Sequence, residues 1–456
     1  MKREQCKVLI IGAGPGGYVC GIRAGQLGLD TIVVEGEKPG GTCLNVGCIP
    51  SKALIHAADE FHKAKTFRGD NKLGISLLNP EIDFVKTQKW KDGIATKLNT
   101  GVTGLLKKAK TRLIQGNASI IDGKTVKVVT SEGEQIIECE HLVLATGSSP
   151  MELPSLPFSD HVISSTEALS LTDVPKDLAI VGGGYIGLEI GTAMAKLGAN
   201  VTIVEMDQQI LPQYDADLVK PVTDRLKKLG VTLHLGAKAE GVTTDGALKI
   251  STSEGMQEIA ADKILVTIGR APNIKGFGVE DLDLKMDGRH IAINDVCATS
   301  MRNVFAIGDI TGDPMLAHRA MAQGVIVAEH IAGKPSVWDK RAVPAVCFTD
   351  PEIVTVGQLP SAETKTAMFP FAANGRAMTM EREDGFVRVV YDADSELVLG
   401  LQAVGNGVSE LAGEFALGIE MCATLTDIAD TIHAHPTLGE TVQETAHLAL
   451  GHALHI

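Results

Sequence analysis

Two cysteines stand close together near the N-terminus of this 456-residue chain, in the glycine-rich run GGTCLNVGCIPSK at residues 40–52. Four residues separate Cys43 from Cys48, which is neither the usual spacing of zinc ligands nor the CxxC of thioredoxin-like sites. A turn loosened by glycine can close a disulfide, although the spacing alone does not prove that geometry. Pro50 favours the first turn of a helix, so Cys48 would lie near a helix N-terminus, where the dipole stabilises a thiolate. The pattern indicates redox-active thiols, with two unrelated loop cysteines as the alternative.

The rest of the composition is that of an acidic globular protein. Hydrophobic residues make up 44% and charged residues 21%, which excludes a mainly disordered chain. The net charge of −14 argues against non-specific nucleic-acid binding, and no apolar run approaches the roughly 20 residues of a membrane span. The eight cysteines are spread thinly over a long chain, unlike those of a short, cysteine-dense disulfide-stapled domain, and neither a signal peptide nor an Arg- and Ser-rich leader is recognisable. We therefore expect a cytoplasmic protein with no nucleic-acid or membrane partner, whose other six cysteines are core or surface residues.

A strand, a glycine loop and a helix precede the cysteines in the pattern that is typical of dinucleotide binding. An apolar strand at residues 7–11 leads into a GxGxxG loop, and a second strand at 31–34 ends in Glu35. The first glycine permits the turn, the second lets the backbone approach a pyrophosphate, and the third allows close helix packing. The helix N-terminus then faces the phosphates, and the acid can bind ribose hydroxyls. The three glycines are Gly12, Gly14 and Gly17.

The same pattern recurs in the middle of the chain. A strand at residues 178–181 precedes the second loop, and a strand at 201–204 ends in Glu205. In both copies the first glycine stands 23 residues before the acid. Two nucleotide-binding folds in one chain are therefore predicted, and glycine-rich turns without a ligand are the alternative. The second loop contains Gly182, Gly184, Tyr185, Ile186 and Gly187.

The remaining segments predict how these two units are connected and completed. A helix is expected at about residues 51–65, followed by a connecting region to about Lys110. Residues 141–148 and 263–270 are similar strand-to-glycine turns, which indicates that the two halves are internal duplicates.

From about residue 342 the pattern changes to strand-rich segments followed by two helices, at about 409–422 and 437–450. This change predicts a separate C-terminal domain of α+β character. The expected fold class is α/β, with two Rossmann-like dinucleotide-binding domains and this additional domain.

The run at residues 40–52 resembles the active-site motif of the pyridine nucleotide–disulfide oxidoreductases. Residues 433–440 (HAHPTLGE) are similar to the C-terminal signature of that family, and the resemblance extends in order over essentially the whole chain. It implies a C-terminal dimerisation domain and a homodimer. The implied domains are an FAD-binding domain with the redox disulfide at 1–149, an NAD-binding domain at 150–271, a central domain completing the FAD fold at 272–342, and an interface domain at 343–456.

The resemblance implies catalytic roles for six residues, which are Cys43, Cys48, His435, Glu440 and the pair formed by Lys52 and Glu189. Cys43 is the exposed thiol that exchanges with a substrate dithiol, and Cys48 is the thiol beside the flavin. His435 is the general base, a role that suits an imidazole because it changes charge close to neutral pH. In this family the other subunit of the homodimer supplies this histidine. Glu440 accepts a hydrogen bond from that imidazole and fixes its tautomer. His433 has no such support, and we interpret it as structural.

The resemblance also implies FAD and NAD as cofactors. Lys52 and Glu189 match a buried ion pair beside the flavin, and Tyr185 occupies the position of an aromatic gate that only some members have. Flavin-nucleotide contacts are implied for the first loop and its acid, and for Gly41, Thr42, Gly116, Thr146, Gly147, Ser148, Gly308, Asp309, Met315, Ala317 and His318. Nicotinamide-nucleotide contacts are implied for the second loop and its acid, and for Ala239, Gly269 and Arg270.

Glu205 favours NAD over NADP, because a carboxylate binds free ribose hydroxyls and repels a 2′-phosphate. NADP-dependent relatives such as glutathione reductase carry arginines after this strand. Here residues 206–209 are MDQQ, and neither Arg nor Lys occurs before Lys220.

Within the family, the chain most resembles the members that oxidise protein-bound dihydrolipoyl groups. This resemblance implies lipoyl domains as partners, carried by a 2-oxo acid dehydrogenase acyltransferase or by the glycine cleavage H protein. Mercuric reductase is the nearest alternative, but such enzymes normally end in a vicinal cysteine pair, whereas this chain ends in GHALHI. A flavoprotein that only docks to a complex and a flavin monooxygenase are further alternatives, and neither explains the full catalytic set.

Overall fold

A mixed sheet with a parallel centre forms the first part of the chain, and the computed structural model describes residues 2–456. Its strands are β1 (Lys2–Ile11), β2 (Thr31–Glu35), β3 (Arg112–Gln115), β4 (Asn117–Asp122), β5 (Thr125–Thr130) and β6 (Gly133–Leu144). The helices of this part are α1 (Pro15–Gln26), α2 (Gly41–Asn45), α3 (Cys48–Thr66) and α4 (Phe84–Lys108). The strand order is β3-β2-β1-β6-β5-β4, and β1 pairs with β2 and β6 in parallel.

A second parallel sheet follows, with a small antiparallel sheet beside it. Its strands and those of the neighbouring ribbons are β7 (Ser148–Pro150), β8 (Val162–Ile163), β9 (Asp177–Val181), β10 (Asn200–Glu205), β11 (Thr232–Leu235), β12 (Lys238–Val242), β13 (Leu248–Thr252), β14 (Gly255–Ile259), β15 (Lys263–Val266) and β16 (Arg270–Pro272). The helices are α5 (Ser165–Ala168), α6 (Tyr185–Leu197) and α7 (Ala216–Lys228). The parallel sheet has the order β11-β10-β9-β15-β8, and β12-β13-β14 form the antiparallel one.

The chain then returns to the first sheet before it enters its last domain. The elements of the return are β17 (Met286–Asp287), β18 (His290–Ile291), β19 (Val304–Ala306) and α8 (Ala317–Ile331). β19 pairs with β6 in parallel and so extends the first sheet.

An antiparallel five-stranded sheet and four helices form the C-terminal domain. Its strands are β20 (Ala345–Cys347), β21 (Glu352–Gly357), β22 (Lys365–Pro370), β23 (Phe386–Tyr391) and β24 (Val398–Gly405). Its helices are α9 (Gly375–Thr379), α10 (Ala412–Glu420), α11 (Leu425–Asp430) and α12 (Glu440–Ala449). The sheet order is β20-β21-β24-β23-β22. The α/β fold class and the α+β character of the last domain are thus confirmed.

The two parallel sheets have the same strand order, and each is packed against a hydrophobic cluster on both of its faces. In β1, Val8 packs into the cluster on one face of the sheet, while Leu9 packs into the cluster on the other. In β9, Leu178 and Ala179 divide between two faces in the same way. Strands buried on both faces need apolar residues at every position, which explains their continuous apolar runs. The predicted duplication is confirmed, since β2-β1-β6 and β10-β9-β15 have the same parallel order.

The helix α4 is the main departure from the sequence prediction, which placed only a connecting region before Lys110. Asp83 caps the helix by accepting a hydrogen bond from the Lys86 N–H at 3.0 Å. No continuous apolar stripe marks this helix in the sequence, because its buried side chains are few. They are Phe84, Lys91, Val102 and Leu106.

Helix boundaries differ from prediction by a few residues elsewhere. The helix α3 begins at Cys48 rather than near residue 51, so the cysteine occupies the first helical position after Gly47. Pro50 is accommodated in the first turn, where its missing N–H has no partner to lose. The last helix begins at Glu440, three residues later than expected. Among residues 2–456, no helix is long and apolar enough to cross a membrane.

Candidate active site

The first glycine loop is shaped by steric contacts that only glycine permits. Gly12 has a φ of +99°, and a Cβ there would lie 2.3 Å from the Ala145 carbonyl oxygen. A Cβ on Gly17 would lie 1.9 Å from the carbonyl oxygen of Gly12, so only glycine allows the helix to pack this closely against the loop. Glu35 braces the turn by accepting the Ala13 N–H at 2.7 Å. The loop therefore presents the N-terminus of α1 to the space in front of it.

The second loop repeats this construction. Gly182 has a φ of +105°, and a Cβ on Gly187 would lie 2.4 Å from the Gly182 carbonyl oxygen. Glu205 accepts the Gly183 N–H at 2.6 Å and the Asp207 N–H at 2.9 Å. A carboxylate has about four lone-pair sites, so both acids can brace their loops and still accept hydroxyls. The local geometry fits a dinucleotide at each loop.

One cavity of about 910 Å³ joins the first loop to the cysteine segment. The cavity extends from the glycine loop and Glu35 to the two thiols, and this extent fits a large dinucleotide such as FAD. The predicted residues on its wall are Gly12, Gly14, Glu35, Gly41, Thr42, Cys43, Cys48, Lys52, Gly116, Thr146, Gly147, Ser148, Tyr185, Ile186, Glu189, Arg270, Gly308, Asp309, Met315 and Ala317. The other predicted residues lie elsewhere in the described chain: Gly17, Gly182, Gly184, Gly187, Glu205, Ala239, Gly269, His318, His435 and Glu440.

Cys43 and Cys48 are brought together on the cavity wall, on α2 and at the start of α3. Both are thiols in the structure, and Cys43 donates a hydrogen bond to Cys48. This bond, assisted by the nearby Lys52, lowers the pKa of Cys48 despite its burial, and it raises the pKa of Cys43. Both thiols line the cavity: Cys43 is half-buried, and Cys48 is accessible from the cavity. Cys48 is therefore the more acidic thiol of the pair.

Lys52 and Glu189 form an ion pair at the same wall. The Nζ of Lys52 lies 2.7 Å from Oε2 of Glu189, whose side chain is only 4% exposed. The second carboxylate oxygen accepts the Phe348 N–H at 3.0 Å, and the lysine lies 4.4 Å from the centre of the Phe348 ring. Residues from three parts of the chain therefore meet beside Cys48.

The turn that carries Cys43 is held by two asparagines that the sequence analysis missed. The carboxamide of Asn45 donates to the carbonyl oxygens of Pro39 and Gly41 at 3.1 and 3.0 Å. Asn99, from α4, donates to Oδ1 of Asn45 at 2.8 Å and also to the Pro39 carbonyl. The one signal in the sequence was Asn45 itself, between the cysteines; nothing local marks its partner 54 residues away.

Polar side chains also order the far side of the cavity. Ser148 donates to the carboxylate of Asp309 and accepts a hydrogen bond from Nε of Arg270 at 2.7 Å. Gly308 donates its N–H to Oε1 of Gln323 at 2.7 Å, a contact that the sequence did not predict. His318 does not reach the cavity, because its ring nitrogen Nε2 bonds the Pro344 carbonyl at 2.8 Å.

Tyr185 lies on the cavity wall at the start of α6, between the second glycine loop and Glu189. Burial raises the pKa of its phenol to about 12, so the side chain is neutral at physiological pH. A gate between two bound nucleotides would lie at this position, between the second glycine loop and the cavity.

His435 and Glu440 form a pair on the surface of the C-terminal domain. Nδ1 of His435 lies 2.8 Å from Oε1 of Glu440, and the histidine side chain is 81% exposed. Burial opposes ionisation of Glu440, but hydrogen bonds from the Thr437 N–H and from His435 hold its pKa below the usual range. An ionised carboxylate only accepts, so Nδ1 carries the proton and Nε2 is left free as a base.

His433 is placed differently, in agreement with its predicted structural role. Nδ1 bonds the Thr431 carbonyl at 2.8 Å, and Nε2 bonds Glu414 at 2.7 Å. The hydrogen bond with Glu414 raises the pKa of His433. Both nitrogens are therefore engaged, and neither can act as a base.

Five of the six remaining cysteines are buried, and Cys422 is exposed, as the sequence suggested for core and surface residues. Burial raises the pKa of each buried thiol to about 12, which makes it unreactive. The buried cysteines are Cys6, Cys20, Cys139, Cys297 and Cys347.

Two dinucleotide loops and one polarised thiol pair define a nucleotide-dependent disulfide oxidoreductase, and comparison with known proteins agrees. Residues 6–324 match the pyridine nucleotide-disulphide oxidoreductase family, and residues 343–446 match the dimerisation domain of that family. The chain belongs to this family and is an oxidoreductase of its class. FAD and NAD are the cofactors of such enzymes, and the dimerisation domain supports a homodimer.

Several relatives match over their whole length. The chain is 56% identical to a dihydrolipoyl dehydrogenase of Pseudomonas aeruginosa, with 99% of both chains covered. It is 44% identical to that of Geobacillus stearothermophilus, with 99% of this chain and 98% of the relative covered. Among solved structures, LpdA from Mycobacterium tuberculosis superposes with a TM-score of 0.89 at 27% identity, covering 98% of this chain and all of that one.

Proposed function

We propose that the protein oxidises protein-bound dihydrolipoyl groups to lipoyl and reduces NAD⁺ to NADH, the activity for which its relatives are named. The observation that carries this proposal is the polarised pair Cys43–Cys48 on the wall of a dinucleotide cavity, beside Lys52 and Glu189. The 56% identity to a dihydrolipoyl dehydrogenase over the full chain supports the substrate class.

The two thiols have different roles in thiol–disulfide exchange with the substrate. In the oxidised enzyme Cys43 and Cys48 form a disulfide, and a substrate thiolate attacks Cys43 and displaces Cys48 as a thiolate. The second thiol of the substrate then attacks the substrate sulfur that is bonded to Cys43. This step releases Cys43 as a thiolate and closes the disulfide of the lipoyl product. The low pKa of Cys48 supports its part as the leaving group, because a more stable thiolate leaves faster.

His435 is the base that removes the substrate proton, and Glu440 holds its Nδ1–H so that Nε2 faces outward. On one chain this pair lies on the exposed surface of the C-terminal domain, away from the cavity wall. We therefore propose that His435 serves the cavity of the other subunit in a homodimer, so that each site combines thiols from one chain with a base from its partner.

The domains divide the cofactors as follows in this proposal. Residues 1–149, completed by residues 272–342, bind FAD, residues 150–271 bind NAD, and residues 343–456 form the dimer interface. When bound, FAD supplies a two-electron acceptor for the dithiol and a hydride donor for NAD⁺. Lys52 contributes a positive charge beside the flavin, and Glu205 selects NAD through the ribose hydroxyls.

The partners in this proposal are the lipoyl domains of a 2-oxo acid dehydrogenase acyltransferase or the glycine cleavage H protein, and the compartment is the cytoplasm. A thiol pair that cycles between oxidised and reduced forms suits a reducing compartment. The name of the relatives, dihydrolipoyl dehydrogenase, supports a lipoyl-bearing substrate.

The test is NAD⁺ reduction by the purified FAD-loaded protein with dihydrolipoamide, with NADP⁺ in a parallel cuvette. We expect rapid turnover with NAD⁺ and little with NADP⁺. Cys48→Ser should abolish turnover while the flavin stays bound, and Cys422→Ser is the matched control, because this exposed thiol lies outside the cavity. A yellow protein that does not turn over dihydrolipoamide, or a Cys48→Ser variant that does, would refute the proposal.

A further inference from the structure

The two thiols of the redox pair are carried by helices of very different length. Cys48 begins α3, which spans 19 residues, whereas Cys43 lies on α2, which spans only five. A helix as short as α2 is marginal on its own, because its first turn fixes several residues for a single hydrogen bond. The position of Cys43 relative to Cys48 therefore depends on contacts that hold α2 from outside.

The helix α4 supplies such contacts from the middle of its buried face. This face follows the helical repeat and is apolar at both ends, at Phe84 and Leu106. Between these ends the same face carries the polar residues Gln88, Lys91 and Asn99. Each of the three side chains donates a hydrogen bond to a main-chain carbonyl oxygen outside α4. The polar middle of the helix thus binds the backbone of neighbouring segments.

Asn99 makes its contacts at the turn that carries Cys43. Its amide nitrogen donates to Oδ1 of Asn45 at 2.8 Å and also to the Pro39 carbonyl oxygen. Because Oδ1 of Asn45 accepts, the amide nitrogen of Asn45 is turned toward the carbonyl oxygens of Pro39 and Gly41, at 3.1 and 3.0 Å. Gly41 and Asn45 are the first and last residues of α2, so this network spans the whole of that helix.

We propose that Asn99 is a positioning residue that holds α2 in place and thereby favours the Cys43–Cys48 disulfide over the dithiol. This inference deepens the proposed function and rests on it. Closing the disulfide brings the two sulfur atoms to about 2.0 Å, which costs conformational entropy if the turn moves freely in the dithiol. The brace from α4 restrains the turn before the bond forms and so lowers that cost. In the disulfide the covalent bond itself restrains the turn, and the brace contributes less.

The equilibrium can be measured against a small dithiol of known potential. When the disulfide of the protein closes, Cys43 and Cys48 lose two protons and two electrons and form one S–S bond. The S–S bond of oxidised dithiothreitol accepts them and opens to the dithiol, so atoms and electrons balance. The ratio of the two forms of dithiothreitol then gives the equilibrium constant for closing the disulfide of the protein.

The experiment equilibrates the FAD-loaded protein anaerobically at pH 7 with mixtures of reduced and oxidised dithiothreitol, at ratios where the absorbance shows oxidised flavin. Acid then stops the exchange, the protein is unfolded, and free thiols are labelled with N-ethylmaleimide, so the cofactor does not shield them. The tryptic peptide 24–52 contains Cys43 and Cys48 and no other cysteine. In mass spectrometry, two labels on this peptide report the dithiol and none reports the disulfide.

The variants are Asn99→Leu, which keeps much of the side-chain volume but donates no hydrogen bond, and Asn99→Ala. Asn99 is only half-buried, so neither replacement opens a cavity in the core. We expect the equilibrium constant for closing the disulfide to fall by about three- to tenfold in both, because such hydrogen bonds have a modest net value. A tenfold fall makes the reduction potential of the pair about 30 mV less negative.

Gln88→Leu is the matched control, because Gln88 lies about three turns earlier on the same face of α4 and donates to the Leu171 carbonyl oxygen at 2.8 Å. Its equilibrium constant should equal that of the unmutated protein. The flavin absorbance of each purified variant shows that it is folded and loaded.

An unchanged constant in both Asn99 variants would overturn the inference, and so would a larger constant, because the brace would then favour the dithiol. An equal fall in Gln88→Leu would also overturn it, because the effect would then arise from α4 as a whole. The exchange with dithiothreitol involves neither NAD⁺ nor a lipoyl substrate. Failure of the proposed function would therefore appear separately, as absent dihydrolipoamide turnover in the unmutated protein.

Discussion

Replacing Glu205 with alanine should weaken the preference for NAD in a way that the structure makes specific. The carboxylate is buried and holds the N–H groups of Gly183 and Asp207, so it both braces the second loop and presents acceptors to a ribose. Without it, the ribose hydroxyls lose their charged acceptor and a 2′-phosphate loses its repulsion. The two freed N–H groups, close to the N-terminus of α6, can then bind a phosphate.

The expected magnitude follows from the contacts that are lost. Hydrogen bonds to a charged group contribute about 1.5–3 kcal/mol each, and water in the open cleft replaces part of that interaction. We therefore expect a net loss of about 1–3 kcal/mol for NAD, which corresponds to a fall of about 5- to 150-fold in kcat/KM. NADP does not use the carboxylate, so its kcat/KM should stay level or rise.

The assay compares kcat/KM for NAD⁺ and NADP⁺ at saturating dihydrolipoamide in the unmutated protein and in Glu205→Ala. The matched control is Glu35→Ala, because Glu35 braces the first loop through the same type of hydrogen bond to Ala13. That variant should retain less flavin but leave the ratio of NAD to NADP use unchanged. Equal use of both nucleotides by the unmutated protein, or an unchanged ratio in Glu205→Ala, would refute the reasoning.

Three further predictions concern the base, the loop and the pH dependence of stability. His435→Gln should lower kcat/KM for dihydrolipoamide by about 10²–10⁴, the usual contribution of a general base, whereas His433→Gln should not reproduce that loss; equal losses would contradict the assignment. Gly17→Ala should yield protein without bound flavin, because its Cβ would overlap the Gly12 carbonyl oxygen, and a normal flavin content measured by absorbance would contradict this. The Glu414–His433 bond stabilises the fold fully below the unfolded-state pKa of 6.5 and loses this contribution as pH rises through the raised folded-state value. Glu414→Gln should therefore lower Tm more at pH 6 than at pH 9. An equal decrease in Tm at both pH values would contradict a raised pKa of His433.

The sequence predicted the elements that are set by local rules. A glycine that needs a positive φ, such as Gly12, and an acid at the end of the second strand can be recognised without knowledge of distant contacts. The same is true of the continuous apolar strands, because burial on both faces leaves no polar positions in them. The duplicated order of the two parallel sheets follows from these local patterns.

The features that the sequence analysis missed depend on contacts between distant segments. The helix α4 has too few buried side chains to produce a periodic signal, yet its Asn99 holds the turn that carries Cys43. Asp350 gave no signal either, since the three cations that it binds, Lys196, Arg225 and Arg382, are far apart in the sequence.

The contact between the first glycine loop and the cysteine turn links two equilibria. Gly41 packs against Gly14 so closely that a Cβ on Gly41 would lie 2.6 Å from the Gly14 Cα, and both residues line the same cavity. A dinucleotide that settles on this loop therefore also restrains the turn in which Cys43 forms or breaks its disulfide. Coupling of this kind is reciprocal: the factor by which occupancy changes the oxidation equilibrium of the thiols is the factor by which oxidation changes the affinity for the dinucleotide. Dinucleotide binding at Gly14 and disulfide exchange at Cys43 therefore act on backbone segments that are in direct contact.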